Sequence, residues 1–271
     1  MTIAEALRQA RAAGVERLDA QWLLEHLLGR SRSWLLAHDD EPLPATAAAA
    51  WPAMLARRAG GEPLAYVVGE REFCGLKLLV TPAVLVPRPE TELIVRWAQE
   101  RVPGTTAGAV VDLGTGSGAI ALALKAALPQ AELWATDTSA AALAIAEGNA
   151  RRLGLAVQFA AGDWWQAVAG RRFALAVSNP PYIAAGDPHL AALGHEPPLA
   201  LTPGGDGLGP IRQLIEQAPR HLLPGAWLLL EHGHDQADAV AALFAAHGFG
   251  TAQTRRDLAG LPRCTGARWP G

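Results

Sequence analysis

The 271-residue sequence has almost no lysine: 21 of its 23 basic residues are arginine, and Lys77 and Lys125 are the exceptions. In an alanine-rich chain this reads as codon bias of the source genome rather than as chemistry. Cysteine is equally scarce. Cys74 and Cys264 stand alone, which excludes CxxC metal-ligand spacing and a disulfide framework and sets a reducing cytosol as the expected compartment. No run of about 18 uncharged apolar residues is present, so no transmembrane helix is expected. The opening MTIAEALRQARAAG carries Glu5, Arg8 and Arg11 where a secretory signal needs an apolar run. An excess of positive charge is missing too. The net charge of −3 is unlike a free-standing duplex-DNA binder, and no stable nucleic-acid or membrane partner is expected. With 50% hydrophobic and 18% charged residues, the chain is globular, and its length fits one or two domains.

Apolar residues at helical spacing (Ile3, Leu7 and Ala10, then Leu18, Trp22, Leu24, Leu27 and Leu28) predict a small helical bundle over 1–62. Gly14 and Gly29 are expected to stop two of its helices. Ser31 or Ser33 caps a short third, and Pro42 and Pro44 precede a fourth. The β-like runs LAYVV (64–68) and LKLLV (76–80) predict a hairpin linker over 63–84. The third domain is then 85–271. In Val86-Pro87-Arg88-Pro89-Glu90-Thr91-Glu92, two prolines stiffen an extended turn, and Pro89 suits a first helical position followed by acids. From Ala109 strands alternate with helices. Strands are expected at 109–113, 132–136, 157–160, 173–177 and 226–230, with helices at 118–128, 140–153, 208–222 and 236–247. This implies a doubly wound, mostly parallel α/β sheet. Two final strands without a helix between them, 249–253 and 264–269, predict an antiparallel edge hairpin.

Chemistry gathers at the ends of these strands. Val110-Val111-Asp112-Leu113-Gly114-Thr115-Gly116-Ser117-Gly118 ends one strand and opens a helix, where glycines allow close backbone approach and the helix start offers free N–H groups. A tight turn with packing glycines would look the same. Asp137 ends the next strand. It can accept hydrogen bonds from ribose hydroxyls, as in dinucleotide enzymes and in adenosylmethionine-dependent methyltransferases alike. It can also cap the following helix, with Ser139 as the rival. Gly162-Asp163-Trp164-Trp165 places an acid and an aromatic where an adenine could stack, or two tryptophans where a core needs filling.

Ser178-Asn179-Pro180-Pro181-Tyr182 follows the fourth strand and is the most specific signal. A planar amide or exocyclic nitrogen is a poor nucleophile because its lone pair is delocalised. Two acceptors aimed at its two hydrogens draw it out of conjugation and fix its direction. The Asn179 side-chain oxygen is one, and the Pro180 carbonyl, held rigid by Pro181, is the other. Tyr182 offers a face on which a planar group stacks. Acceptors and ring together meet the positive charge that develops on nitrogen, and in-line alignment supplies the rest. No strong general base is required.

With these motifs the chain resembles the HemK/PrmC family of class I adenosylmethionine-dependent methyltransferases, which methylate the side-chain amide nitrogen (N5) of the glutamine in the GGQ motif of peptide chain release factors. The resemblance spans nearly the whole chain and includes Glu62-Pro63-Leu64-Ala65-Tyr66, the Pro87–Glu92 run, the glycine loop, Ser178–Tyr182 and Leu228-Leu229-Leu230-Glu231-His232-Gly233. It implies a seven-stranded methyltransferase sheet, a substrate-recognising helical domain, and S-adenosyl-L-methionine as cofactor with S-adenosyl-L-homocysteine as product. It also implies release factors as partners, no metal, and a monomer in the cytoplasm. Gly114, Thr115, Gly116, Ser117 and Gly118 would wrap the amino-acid end of the cofactor, Asp137 the ribose and Trp164 the adenine region. Asn179 would lie between cofactor and substrate. Asn179, Pro180, Pro181 and Tyr182 would hold the glutamine amide, with Asn179, Pro180 and Tyr182 the catalytic set, and Pro87–Glu92 would close over the cofactor. The family's Phe-Glu-Pro is His195-Glu196-Pro197 here, after a shortened 187–196 loop.

Three other readings share part of this pattern. N5-glutamine methylation of a ribosomal protein uses the same motifs. Adenine-N6 methylation of nucleic acid would grip a flipped base with the same four residues. It calls for a basic groove, whereas residues 1–60 hold seven arginines against seven acids. A nicotinamide-dependent oxidoreductase accounts for the glycine loop but gives Asn179–Tyr182 no task.

Overall fold

The computed structural model describes residues 1–102 and 108–271. The chain divides into two compact units, Met1–Glu70 and Arg71–Gly271, so the segment 63–84 is shared between them instead of forming a separate linker.

The first unit is helical. Helix α1 (Ile3–Ala12) starts in a capping box in which Thr2 and Glu5 exchange side-chain-to-backbone bonds. α2 (Arg17–Leu28) ends at Gly29 in the left-handed region, φ 61°. α3 (Arg32–Ala37) is capped by Ser31 and α4 (Ala45–Ala59) follows Pro44. Ile3, Leu23, Leu24, Leu35 and Trp51 form its core, and the Trp51 indole N–H donates to Gln9 at 3.1 Å.

Residues 64–68, expected as a strand, are helix α5 (Leu64–Val68). A short apolar run carries no periodicity that separates strand from helix, and here tertiary partners decide. Ala65, Tyr66 and Val67 are buried. The Arg57 guanidinium donates to the Tyr66 and Val67 carbonyls at 3.0 and 3.3 Å, satisfying acceptors the helix end leaves free. Gly69, φ 85°, then turns the chain into a hairpin of β1 (Glu70–Phe73) and β2 (Leu76–Leu79).

The second unit is a doubly wound sheet. After Pro89–Thr91, a 3-10 turn with Pro89 at its start, comes α6 (Glu92–Arg101). Then β3 (Val110–Leu113), α7 (Ala119–Ala127), β4 (Leu133–Asp137), α8 (Ala140–Leu153), β5 (Gln158–Ala161) and β6 (Phe173–Ser178) alternate. α9 (Gly209–Gln217), β7 (Leu222–Glu231), α10 (Ala237–Ala246), β8 (Gln253–Arg256) and β9 (Pro262–Arg268) complete it. The seven strands run in the order β5-β4-β3-β6-β7-β9-β8. The first five are mutually parallel, and β9 pairs antiparallel with both β7 and β8. The central strands β3, β4 and β6 are apolar on both sides because both faces are covered. Val110, Leu133, Leu175 and Leu229 pack on α6 and α7, while Val111, Ala176, Leu228 and Leu230 pack on α9 and α10.

The closing strand lies later than 249–253. Phe249 instead anchors a loop, its ring 5.1 Å from Phe244 and 5.3 Å from Trp269, and pairing starts at Gln253. No helix among the described residues is long and apolar enough to cross a membrane.

Candidate active site

The strand order reverses between β3 and β6, and the loops leaving their carboxyl ends separate to open a crevice, the place where such sheets bind ligands. A cavity of about 210 Å³ occupies it. Gly114, Thr115, Gly116 and Ser117 line it from the β3 side, Asp137 from the end of β4, and Trp164 from the loop after β5. Asn179 and Pro181 line it from the loop after β6, and Pro87, Arg88 and Thr91 from the segment ahead of α6. Gly118, Pro180 and Tyr182 are not in its lining. Gly118 is the N-cap of α7 at φ 85°, where a Cβ would press on Leu122 and Ala146 at 3.0 and 3.2 Å. Pro180 is buried, and Tyr182 sits on the core beside it.

Backbone hydrogen bonds shape the glycine loop. The Gly114 and Thr115 amides both donate to the Thr136 carbonyl, at 2.9 and 2.8 Å. Asp137 accepts from the Gly116 amide at 2.9 Å and from the Ser139 amide at 2.8 Å. Ser139, not Asp137, caps α8 by accepting from Ala142. A carboxylate has about four lone-pair sites, so Asp137 keeps acceptor capacity toward the cavity. Asp112 does not reach it. It is fully buried, accepting from the Thr115 hydroxyl at 2.6 Å and the Ala121 amide at 3.2 Å. Burial pushes its carboxyl up to about 7, against the pull of those two bonds, and the Asp137 charge adds to the rise.

Trp164 carries a positive φ of 44°, a conformation that costs a non-glycine residue energy and is kept where function over-determines it. Its ring lies over Gly114, where a Cβ would come within 2.9 Å of the indole. A Cβ on Gly116, by contrast, would meet nothing within 4 Å. An indole wall, an open glycine floor, an acid and exposed backbone are what an adenosyl group with a charged amino-acid tail requires. Trp165 is buried core, its N–H taken by the Leu214 carbonyl at 3.0 Å.

On the opposite wall, Asn179 donates its NH₂ to the Thr91 hydroxyl at 3.3 Å. Neither the Asn179 side-chain oxygen nor the Pro180 carbonyl accepts a hydrogen bond from any described residue. The Tyr182 hydroxyl meets Glu231 at 3.4 Å. Burial pushes Glu231 up to about 7 and raises the Tyr182 phenol above its ordinary range, the Glu231 charge adding to the latter. The Tyr182 carbonyl accepts from Gln236 at 3.0 Å, and a Cβ on Gly207 would lie 2.2 Å from that carbonyl, so the loop backbone is fixed from two sides.

Three residues to which the sequence reading gave no role hold the site together. Asn149 on α8 is fully buried. It accepts from the Leu79 amide at 2.7 Å and donates to the Leu79 and Ser117 carbonyls at 3.0 and 2.9 Å. Glu196, the acid of His195-Glu196-Pro197, accepts from the Val86 amide at 3.0 Å and pairs with Arg88, binding the Pro87–Glu92 segment to the far loop. Glu231 is the third. A polar residue at an apolar strand end or mid-helix was the available signal for Glu231 and Asn149, whereas Glu196 lies in a loop and carried none.

Two family models match the chain, the PrmC N-terminal domain over residues 2–69 and the methyltransferase small domain over 90–208. A release factor glutamine methyltransferase from Bordetella pertussis is 52% identical over 256 residues, 93% of this chain and 95% of that protein. Another from Escherichia coli is 41% identical over 268 residues, 98% and 96% of the two chains. Among solved structures, a methyltransferase from Pyrococcus furiosus superposes with a TM-score of 0.56 at 20% identity, over 73% of this chain and 90% of that one, a likeness of fold.

Proposed function

The chain belongs to the release factor glutamine methyltransferase family, and from that premise we propose that it methylates the side-chain amide nitrogen (N5) of the glutamine in the GGQ motif of peptide chain release factors. S-adenosyl-L-methionine is the donor and S-adenosyl-L-homocysteine the product. The observation that carries this reading is the pair of unspent acceptors, the Asn179 oxygen and the Pro180 carbonyl, beside a cavity floored by the glycine loop.

Bound there, the cofactor supplies a methyl group on a positively charged sulfur. Gly114–Gly118 hold its amino-acid end, Gly118 by setting the start of α7 rather than by touching it. Asp137 accepts from the ribose, and Trp164 covers the adenine region. Asn179 and Pro180 each accept one hydrogen of the glutamine NH₂. The amide lone pair is thereby turned away from its carbonyl and fixed in direction, with Pro181 stiffening the Pro180 carbonyl and Tyr182 giving the amide a face. Those oxygens are in place beforehand, so stabilising the charge that grows on nitrogen requires no rearrangement. The proton on nitrogen leaves after transfer, when that nitrogen is acidic, which is why no strong base stands beside Asn179.

The helical N-terminal unit is assigned to recognition of the release factor. The enzyme acts as a cytoplasmic monomer without stable nucleic-acid or membrane partners. Mass spectrometry of a release factor incubated with enzyme and cofactor tests the reading. One added methyl on the GGQ glutamine is the expected result. Label appearing on ribosomal protein alone, in a parallel incubation with ribosomes, would assign the activity to another substrate.

A further inference from the structure

Strands β3 and β6 are neighbours in the sheet, and each carries one wall of the cleft on the loop that follows it. Their parallel pairing ends where Asp112 lies opposite Val177. That is one residue short of the end of each strand, Leu113 and Ser178. Beyond it the two chains part, β3 into the glycine loop and β6 into Asn179–Tyr182. A side chain spans the parting. The Ser178 hydroxyl donates to the Leu113 carbonyl at 2.6 Å, and both residues are fully buried.

The Leu113 carbonyl shares one planar peptide with the Gly114 amide, which donates to the Thr136 carbonyl on β4 at 2.9 Å. That peptide is therefore held from both sides, by backbone from β4 and by a hydroxyl from β6. It opens the floor of the cavity, where Gly114 turns at φ 77° under the Trp164 ring. The residue after Ser178 is Asn179, on the opposite wall. Backbone pairing holds neighbouring strands about 4.8 Å apart. A serine reaches further than the backbone does, so it lets the walls separate and still fixes by how much.

We propose that Ser178 is a positioning residue that sets the distance between the two walls, and with it the reach of the methyl group to the accepting nitrogen. Transfer along a sulfur–carbon–nitrogen line is steep in that distance, and a displacement of about 1 Å costs on the order of 10²-fold in rate. Ser178 itself does not line the cavity, and its one hydrogen is spent on Leu113. Its partner carbonyl begins the donor's floor and its chain neighbour grips the acceptor, so a single bond links the two. The proposal rests on the glutamine-methylating reading of the site.

The test compares Ser178→Ala and Ser178→Thr with wild type, each checked for folding by its thermal transition. Ser178→Ala removes the bond and keeps the strand, whereas Ser178→Thr keeps a hydroxyl on the same carbon. In single turnover at saturating release factor and cofactor, Ser178→Ala is expected to transfer methyl at least about tenfold more slowly. Its Kd for adenosylmethionine, measured by calorimetry, should stay near that of wild type. The deciding readout is the rate ratio between cofactor carrying CH₃ and cofactor carrying CD₃. A close donor and acceptor crowd the methyl hydrogens in the transition state and favour the deuterated methyl. A wider gap relaxes that crowding and moves the ratio toward unity in Ser178→Ala. A protein that is merely less folded transfers less methyl at an unchanged ratio. A second readout needs no acceptor protein. Loss of the donor on the Leu113 carbonyl should shift the backbone nitrogen resonance of Gly114, in the same peptide, upfield in Ser178→Ala but not in Ser178→Thr. An unchanged isotope ratio in Ser178→Ala, equal losses in transfer rate and cofactor affinity, or a stably folded threonine variant that behaves like alanine would each overturn the tie. Should threonine not be accommodated, the isotope ratio of the alanine variant decides. A wild-type enzyme that leaves the release factor unmethylated would overturn the substrate and not the tie, which the Gly114 resonance and the same ratio on ribosomal protein then decide.

Discussion

The two walls of the cleft are built by different means. On the cofactor side, the loop after β3 is held partly by backbone bonds, the Gly114 and Thr115 amides donating to the Thr136 carbonyl, and partly by the Asp137 carboxylate, which takes the Gly116 amide, and the Asn149 amide at Ser117. On the substrate side, the loop after β6 is held by side chains from distant parts of the chain: Thr91, Glu231 and Gln236 on Asn179 and Tyr182, with Glu196 fastening the segment that carries Arg88. Backbone bonds survive most substitutions, whereas side-chain networks do not. The cofactor wall is therefore the robust one, and the substrate wall is where small changes shift rate or specificity.

Variants can break that contrast. Asn179→Ala should have the largest effect, lowering kcat by at least ~10²–10³-fold, the usual loss for a preorganised hydrogen-bonding group at a reacting centre, with cofactor affinity falling far less. Equal losses in turnover and in calorimetric affinity would mean that Asn179 belongs to the cofactor wall. Asp137→Ala should do the reverse, weakening cofactor binding by about 1.5–3 kcal/mol for a lost charge-assisted hydrogen bond. Turnover at saturating cofactor would be less affected.

Burial raises one carboxyl on each wall to about 7, Asp112 on the cofactor side and Glu231 on the substrate side. Glu231 is near 7 in the folded protein against an ordinary value of 4.5, so the folded state holds a proton that the unfolded chain releases. Its contribution to stability is therefore lost as pH rises from about 4.5 through 7. Thr91, Tyr182, Arg263, Glu90 and Cys264 surround this carboxyl. Glu231→Gln removes the titration. Urea unfolding from pH 5 to 8 should show wild type losing stability relative to the variant by up to about 1.4 kcal/mol per pH unit and levelling off above 7. A difference independent of pH would place Glu231 outside the buried network. Glu196→Gln should have the smallest effect. It keeps an acceptor for the Val86 amide and removes only the charge facing Arg88, which is about one-third exposed. A loss of about 0.5–1 kcal/mol in thermal or urea stability is expected, with a modest rise in KM for the cofactor.

The same contrast explains what could be read from the sequence. The glycine loop, Asp137 and Asn179–Tyr182 were visible because each is contiguous and lies at a strand end, where alternation of strands and helices fixes its place. The boundaries of α8 were equally plain, since Ser139 caps one end and Gly154, in the left-handed region, stops the other. The roles of Glu231, Glu196 and Asn149 were not visible. Their partners lie 49, 110 and 70 residues away, and nothing local marks a buried acid as a tether. The one element of the wrong type, residues 64–68, failed for a related reason. Leu64–Val68 has strand-like composition, but the Arg57 side chain supplies the cap that a helix needs there, and propensity yields to such partners.

Asn149 has a further consequence. A single carboxamide clamps both the Leu79 peptide at the end of the small hairpin and the Ser117 carbonyl in the glycine loop. The Leu79 amide proton and the floor of the nucleoside cleft therefore share one hydrogen-bonded side chain. Slower deuterium uptake at Leu79 when adenosylmethionine is added would make the hairpin a remote gauge of how firmly the loop is closed.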